Sequence, residues 1–377
     1  MPYISRLSIT QFRNILSADI SPSPDVNFIY GENGSGKTSL LESISYLAHG
    51  RSFRTRKYRQ LVGRNCDRFV LYTDVVEQDQ KTGVGIERAQ RGESRTRASG
   101  RAVSSSAELA SLLPILVLNT HSFELLEGSP KIRRQYFDWL VFHVKHRFGQ
   151  CWKDYTKCLK QRNSLLRSGK ITYQNLEPWD QELTRLSEQI RELRADCLRG
   201  VEVAFAAILS RAASRVGAGF SNVSDIQLVY DHGWDDASTL TSLLADSFER
   251  DKKLGYTNIG PHKAQFKVML GNANAIDYLS RGQQKVIITA LFMTLARVFK
   301  DATLRSPVFL LDDLPAELDG SNRNLIQDWI REMNSQVFIT GIEKKQLLAG
   351  SWLERQGKVF HVKHGTITEE PQAITSV

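Results

Sequence analysis

The chain has 377 residues, 41% apolar and 24% charged, with 50 Lys+Arg against 41 Asp+Glu for a formal net charge of +9. That length allows about two domains with a large core, and the composition excludes wholesale disorder. Four cysteines without a CxxC pair (Cys66, Cys151, Cys158, Cys197) argue against a disulfide framework or a cysteine zinc site, and the most apolar stretch, 286–296, is too short to cross a bilayer.

No apolar leader follows Met1, so a soluble, cytoplasmic protein with no membrane partner is expected. The basic excess suits a polyanionic partner or an ordinary, slightly basic enzyme.

Ile4, Leu7 and Ile9 open a strand-like segment, and 26–30 is a short β-rich run that ends at Gly31. The stretch Gly31, Glu32, Asn33, Gly34, Ser35, Gly36, Lys37, Thr38 fits GxxxxGK[ST], with Ser39 following it. Glycines there let backbone N–H groups curl around phosphate oxygens at a helix N-terminus. Lys37 can reach the outer phosphates, and the Thr38 hydroxyl can ligate Mg²⁺. The helix itself is carried by Leu40, Leu41, Ile44, Leu47 and Ala48.

Residues 51–101 hold 13 basic against 6 acidic residues. Strands are expected at 69–76 and 82–88, with Gly83 and Gly85 near a turn, and another at 114–118. From about 121 to 217 the pattern is helical, and Pro178 is placed to begin a helix. Leu183, Leu186, Ile190, Leu193 and Cys197 form a heptad-like stripe that shifts at Val201, Phe205 and Ile208, which favours a packed helical lobe over a projecting coiled coil. A second basic block lies at 131–170, with 11 basic residues and only Asp138 and Asp154 against them. The two blocks sum to +16, leaving the rest of the chain at −7. Aromatics interleaved at helical spacing in the second block read as core. His-Val-Lys-His occurs at 143–146 and 361–364, and a metal site there is not expected.

Strand signals return after about 225, interrupted by helices near 238–253, 281–299 and 321–334. Ser280 is a plausible N-cap, and Gln283 would close a capping box. The same Ser280, Gly282 and helix N-terminus could form a second anion site acting from another subunit. The run 308–311 ends in Asp312 and Asp313: the first suits a metal, the second an attacking water as general base.

These three motifs, in this order, are the ATP-binding-cassette arrangement. The chain resembles the RecF recombination mediator family over nearly its full length, through Phe12-Arg-Asn14, Arg51-Ser-Phe-Arg-Thr55, Pro130-Lys-Ile-Arg-Arg134, Leu159-Lys-Gln-Arg-Asn163, Gly260-Pro-His-Lys263 and Ala316-Glu-Leu-Asp319. The insertion of about 130 residues separates it from SMC-type ATPases with long coiled coils. The expected fold is therefore an α/β cassette (P-loop) head, 1–120 and 255–377, split by a mostly helical insertion lobe, 121–254.

The resemblance implies an ATP-dependent homodimer with two nucleotides sandwiched between phosphate loop and opposed signature motif. It implies that Arg13 and Asn14 lie near the nucleotide, that Asn33 faces the γ-phosphate, that Ser280 and Gly282 act in trans, and that Asp319 lies at the dimer seam. Its implied function is binding of gapped or junction-containing duplex DNA and assistance to RecR, with RecO, in loading RecA. It brings with it the context of DNA replication, recombination and the SOS response to damage. Weak, Mg²⁺-dependent, DNA-stimulated ATP hydrolysis is expected. Arg51, Arg54, Arg56, Lys57 and Arg59, then Arg133 and Arg134, are the candidates for DNA contact.

Three departures from the wider pattern stand out. Asp313 replaces the usual Glu, Thr340-Gly341 replaces a switch histidine, and Asn119-Thr-His121 replaces a Pro-Glu stretch. Competing readings are a transport-type cassette subunit and a nonenzymatic scaffold.

Overall fold

A computed structural model describes residues 1–103, 105–168, 170–216, 225–313, 320–348 and 357–371. It divides into two units, Met1–Ser122 with Leu291–Val377, and Phe123–Ala290.

The first unit opens with β1 (Tyr3–Phe12), β2 (Ile15–Ile20), β3 (Val26–Tyr30) and α1 (Lys37–His49). It continues through β4 (Arg68–Glu77), β5 (Gln80–Ala89), β6 (Ser94–Ala98), β7 (Arg101–Ala102), α2 (Ser106–Leu112) and β8 (Ile115–Leu118). Alternating apolar residues bury one face of β1 (Ile4, Leu7, Ile9, Phe12), with a register shift between Ile4 and Arg6. Strands β1, β2 and β4–β7 form an antiparallel sheet in the order β2-β1-β4-β5-β6-β7. Phe12, Tyr46 and Phe69 meet edge-on in the core beneath it.

The turn expected near Gly83 and Gly85 lies just before them. The turn is Gln78-Asp79, at φ 49° and 63°, joining Glu77 to Gln80. The glycines lie within β5, Gly83 opposite Asp74 and Gly85 opposite Tyr72. A Cβ on Gly83 would stand 2.6 Å from the Tyr72 hydroxyl, so the glycines make room for that ring.

The second unit holds α3 (Glu124–Glu127), α4 (Pro130–Val144), α5 (Phe148–Arg167), α6 (Tyr173–Val216), β9 (Ile226–Asp231), α7 (Leu240–Asp246), α8 (Phe248–Leu254), β10 (Gln265–Leu270), β11 (Ala273–Asn274) and the start of α9 (Arg281–Thr303). Pro178 lies inside α6, whose first turn begins at Tyr173. The expected helix at 238–253 is two, broken at Ser247. The expected lobe boundary at 254/255 falls between β9 and β10, which pair antiparallel from Asp231↔Gln265 to Ile226↔Leu270. Those ladder bonds tie 265–270 to the second unit, which runs on to Ala290.

Phe137, Phe148 and Tyr155 are buried, as their spacing implied. Two buried ion networks accompany them. Arg162 bonds Asp180 (2.6 Å), Asp251 (2.8 Å) and Thr257 (2.8 Å), while Arg194 holds Asp138 through two 2.9 Å bonds and the Pro261 carbonyl.

The first unit resumes with β12 (Val308–Leu311), the helix Gly320–Met333, β13 (Val337–Gly341), β14 (Gly357–Lys363) and β15 (Thr366–Glu370). They complete a second sheet in the order β15-β14-β3-β13-β12-β8, parallel except for β15. Continuous burial along β12 and β13 is what a parallel sheet covered on both faces requires. Gln336 joins the two sheets: its amide accepts from the Ile4 N–H at 2.7 Å and donates to the Ile4 and Ser23 carbonyls.

Candidate nucleotide site

The parallel strands β3, β12 and β13 end at one edge, so the loop after β3 and the carboxylates after β12 meet there. Gly31, Gly34 and Gly36 have φ of 156°, 78° and 123°. Gly31 has no space for a side chain, since a Cβ would stand 2.2 Å from the Val362 carbonyl oxygen. Gly36 precedes α1 without a side-chain cap, leaving the first N–H groups of α1 as anion donors. The Lys37 ammonium donates to the Gly31 and Glu32 carbonyls at 2.7 and 3.1 Å, which curls the loop around it.

The loop is braced from two sides. Arg13 and Asn14 form the turn between β1 and β2, with Arg13 at φ 56°. Asn14 donates to the Ser35 carbonyl (3.0 Å) and accepts from the Ser39 hydroxyl (2.9 Å). From the other side, the Gly365 N–H donates to the Ser35 carbonyl at 2.8 Å. A cleft of about 420 Å³ is lined by Arg13, Asn14, Asn33, Gly34, Gly36, Lys37, Thr38 and Ser39, together with Arg54, Gln60, Val62 and Asp313.

Asp313 lines this cleft, and Asp312 meets its lining at Thr38. Thr38 Oγ1 donates to Asp312 Oδ1 at 3.2 Å, and Thr340 Oγ1 donates to the same oxygen at 2.8 Å while accepting the Asp313 N–H at 2.7 Å. Burial pushes the Asp312 carboxyl above its ordinary range, the Thr340 bond opposes this, and the neighbouring Asp313 charge adds to it. Asp313 sits at φ 52°, with Oδ1 buried and unpartnered. Two hard oxygens 3.2 Å apart beside a phosphate-type loop are the donor chemistry Mg²⁺ takes. Among the described residues no cluster of three or more His, Cys, Asp or Glu could hold a metal, the His-Val-Lys-His copies included.

The first basic segment divides. Arg51, Arg56, Lys57 and Arg59 are exposed. Arg54, exposed as well, lines the cleft, 3.5 Å from the buried Glu42 carboxylate. Glu42 also takes a bidentate bond from Arg13 (2.8 and 2.9 Å) and one from the Ser52 hydroxyl. Arg133 and Arg134 spend guanidinium bonds on the Gly128 and Ala264 carbonyls, at 2.7 and 2.6 Å.

In the second unit, Ser280 and Gln283 form the expected capping box. The Ser280 N–H donates to Gln283 Oε1 at 2.8 Å, and the Gln283 N–H donates to Ser280 Oγ at 3.3 Å. Gly282 is exposed in the first turn of α9. Asp319 lies outside the described residues. Sequence reasoning missed Glu42, Gln60, Thr340 as a bridge, and Gly365. The one available signal was an acid set among the apolar positions of α1.

A family model described as RecF/RecN/SMC N terminal domain matches residues 3–368. The chain is 44% identical to the DNA replication and repair protein RecF of Saccharophagus degradans, over 98% of this chain and 99% of the relative. It is 45% identical to that of Teredinibacter turnerae, over 97% and 96%. A structure of the recombination mediator protein RecF-ATPrS in the RecFOR pathway superposes at TM-score 0.84 with 23% identity, over 98% of both chains. An SmcHead bound to the C-winged helix domain of ScpA superposes at 0.58 with 15% identity, over 98% of this chain and 97% of that one. These two likenesses concern the fold. The chain belongs to the RecF family, within the RecF/RecN/SMC group of ATPase heads.

Proposed function

We propose that this chain is an ATP-dependent DNA-binding protein of recombinational repair, with ATP binding closing a homodimer over duplex DNA at gaps or junctions. The carrying observation is the hydroxyl–carboxylate chain Thr38–Asp312–Thr340–Asp313 beside the glycine loop. Backbone N–H groups of 34–38 and the Lys37 ammonium bind the phosphates, and Thr38 with Asp312 would hold Mg²⁺. That ion supplies charge neutralisation at the phosphoryl oxygens when bound. Asp313, with a free carboxylate oxygen, takes the proton of the attacking water. One methylene less than Glu places that oxygen further from the water, which suits slow hydrolysis.

Ser280, Gly282 and Gln283 act in trans on the nucleotide of the second copy, and Asp319 lies at the seam. DNA stimulates turnover, and hydrolysis releases the clamp. Membership of a family whose curated members are named for DNA replication and repair supports the cellular role. The RecFOR pathway named for the RecF structures supports RecR and RecO as partners, with RecA loaded downstream. The cytoplasm is the proposed location.

The test compares wild type with Lys37→Met for ATP-dependent dimerisation by light scattering and for duplex binding by fluorescence anisotropy. ATP is expected to promote both in the wild type and neither in the variant. If ATP alters neither property in the wild type, the clamp is wrong.

A further inference from the structure

We infer that the outer face of α5 is a phosphate-backbone contact surface for duplex DNA, a location that rests on the DNA-binding reading above. The second basic block carries 11 cations, but they are not equivalent. Arg162 is fully buried against Asp180 and Asp251, Lys145 pairs with Asp196, and Arg133 and Arg134 are bonded to carbonyls of their own unit. Of the seven others, Lys131, Arg147 and Lys170 lie outside α5, while Lys153, Lys157, Lys160 and Arg167 are exposed on it, Arg167 also lending one bond to the Gly255 carbonyl at 3.4 Å.

Their spacing is four, three and seven residues. At about 100° per residue these four side chains fall within an arc of roughly 80°. Cys151, Tyr155, Cys158, Arg162 and Leu166 occupy the opposite, buried face. The stripe is therefore the solvent side of a packed helix and runs for about 21 Å at 1.5 Å per residue. Among the described residues no carboxylate lies within salt-bridge distance of any of the four. Asp154, the only acid of α5, sits to one side and accepts both its 2.9 Å bonds from Gln150.

Four cations along a straight rod match a line of regularly spaced, sequence-independent negative charges. One strand of a duplex presents such a line, at about one phosphate per 3.4 Å of axis. No aromatic or apolar side chain interrupts the stripe, as an anchored protein interface would require. The contact is therefore electrostatic, reads no bases, and weakens with salt.

The test is the triple substitution Lys153→Glu, Lys157→Glu, Lys160→Glu in the full chain, with Lys→Gln at the same positions as a milder second variant. Anisotropy of a labelled blunt duplex is followed across a salt series with ATP present. Loss of three contacts should lower the slope of log K against log salt by about 2.7 and reduce affinity more than tenfold. DNA-free ATP hydrolysis and Tm should stay at wild-type values. Reversing Arg185 and Arg199, whose charges are already met by Glu182 and Asp196, should change the slope little.

If wild type binds duplex and both triple variants keep its slope, the α5 surface is wrong while the clamp stands. If wild type binds no duplex in any nucleotide state, the clamp fails and this surface with it. If the variants keep duplex binding but lose binding to polyglutamate, the stripe serves an acidic protein and the DNA assignment is overturned.

Discussion

Thr340 shows how one hydroxyl can organise two carboxylates. It donates to Asp312 Oδ1 and accepts the N–H of Asp313, so it fixes both the proposed metal ligand and the left-handed backbone of the proposed base. Thr340→Val keeps the shape and removes the hydroxyl, leaving a part-buried N–H without its acceptor at a cost of about 1–3 kcal/mol. Turnover should fall about ten- to a hundredfold, and half-saturating Mg²⁺ should rise. Thr340→Ser should restore both, and nucleotide binding without Mg²⁺ should stay unchanged in either variant. Steady-state hydrolysis across a Mg²⁺ titration, with fluorescent-nucleotide binding in EDTA, measures this. Equal Mg²⁺ curves for Val and wild type would remove Thr340 from the site. From sequence, this position reads only as the absence of a switch histidine, because a threonine at a strand end carries no signal until its neighbours are known. Arg54 makes the same point: its charge is legible in the sequence, but its place in the cleft depends on Glu42, a buried acid eleven positions after Gly31.

Among elements, the C-terminal hairpin acts on the phosphate loop without belonging to its motif. Strands β14 and β15 turn at His364-Gly365, with φ of 49° and 81°. The Gly365 N–H holds the Ser35 carbonyl, and a Cβ on Gly365 would stand 1.9 Å from the Asn14 carbonyl oxygen. Gly365→Ala must therefore push the hairpin off the loop and the β1–β2 turn together. ATP affinity should weaken by about tenfold or more, and Tm should fall, with both read on the same preparation by isothermal titration and calorimetry. Unchanged affinity with a lowered Tm would make the hairpin a stabiliser only. The strands at 4–9, 26–30 and 308–311 and the helix after the glycine loop are legible because burial imposes a period or a continuous apolar run. Gly83, Gly85 and Pro178 are placed by what packs around them. The glycines answer to the Tyr72 ring, and Pro178 is carried within α6, so tertiary demands override local turn and cap chemistry.

At the scale of the whole molecule, charge that counts equally in the sequence is divided between surface and interior, and only folding decides which. Arg162 and Arg194 are spent inside the second unit, and each unit also holds a partly buried histidine in its neutral form. In the first, burial holds His49 down at about 4 against the Ser45 carbonyl that its Nδ1–H reaches at 3.0 Å. In the second, burial holds His262 down at about 4, with the Tyr155 hydroxyl donating to Nδ1 at 2.5 Å and Nε2–H donating to the Thr257 carbonyl at 3.0 Å. A folded value below the unfolded value of 6.5 means that the unfolded chain binds the proton more tightly. The stability these groups contribute is therefore present above pH 6.5 and is lost as pH falls toward 4. Asp138 and Asp180, held above the ordinary carboxylate range by burial, act with the opposite sign lower in that window. The histidine contribution is thus clearest between pH 7 and about 5.5. Wild-type Tm should drop across that interval, His262→Gln should flatten the drop in the second unit, and His49→Gln should do so in the first. Hydrogen exchange at the two pH values assigns each change to its unit. A protection pattern that ignores pH in both units would mean that the histidines are not held neutral, and the bonds drawn to Ser45, Tyr155 and Thr257 would need another proton arrangement.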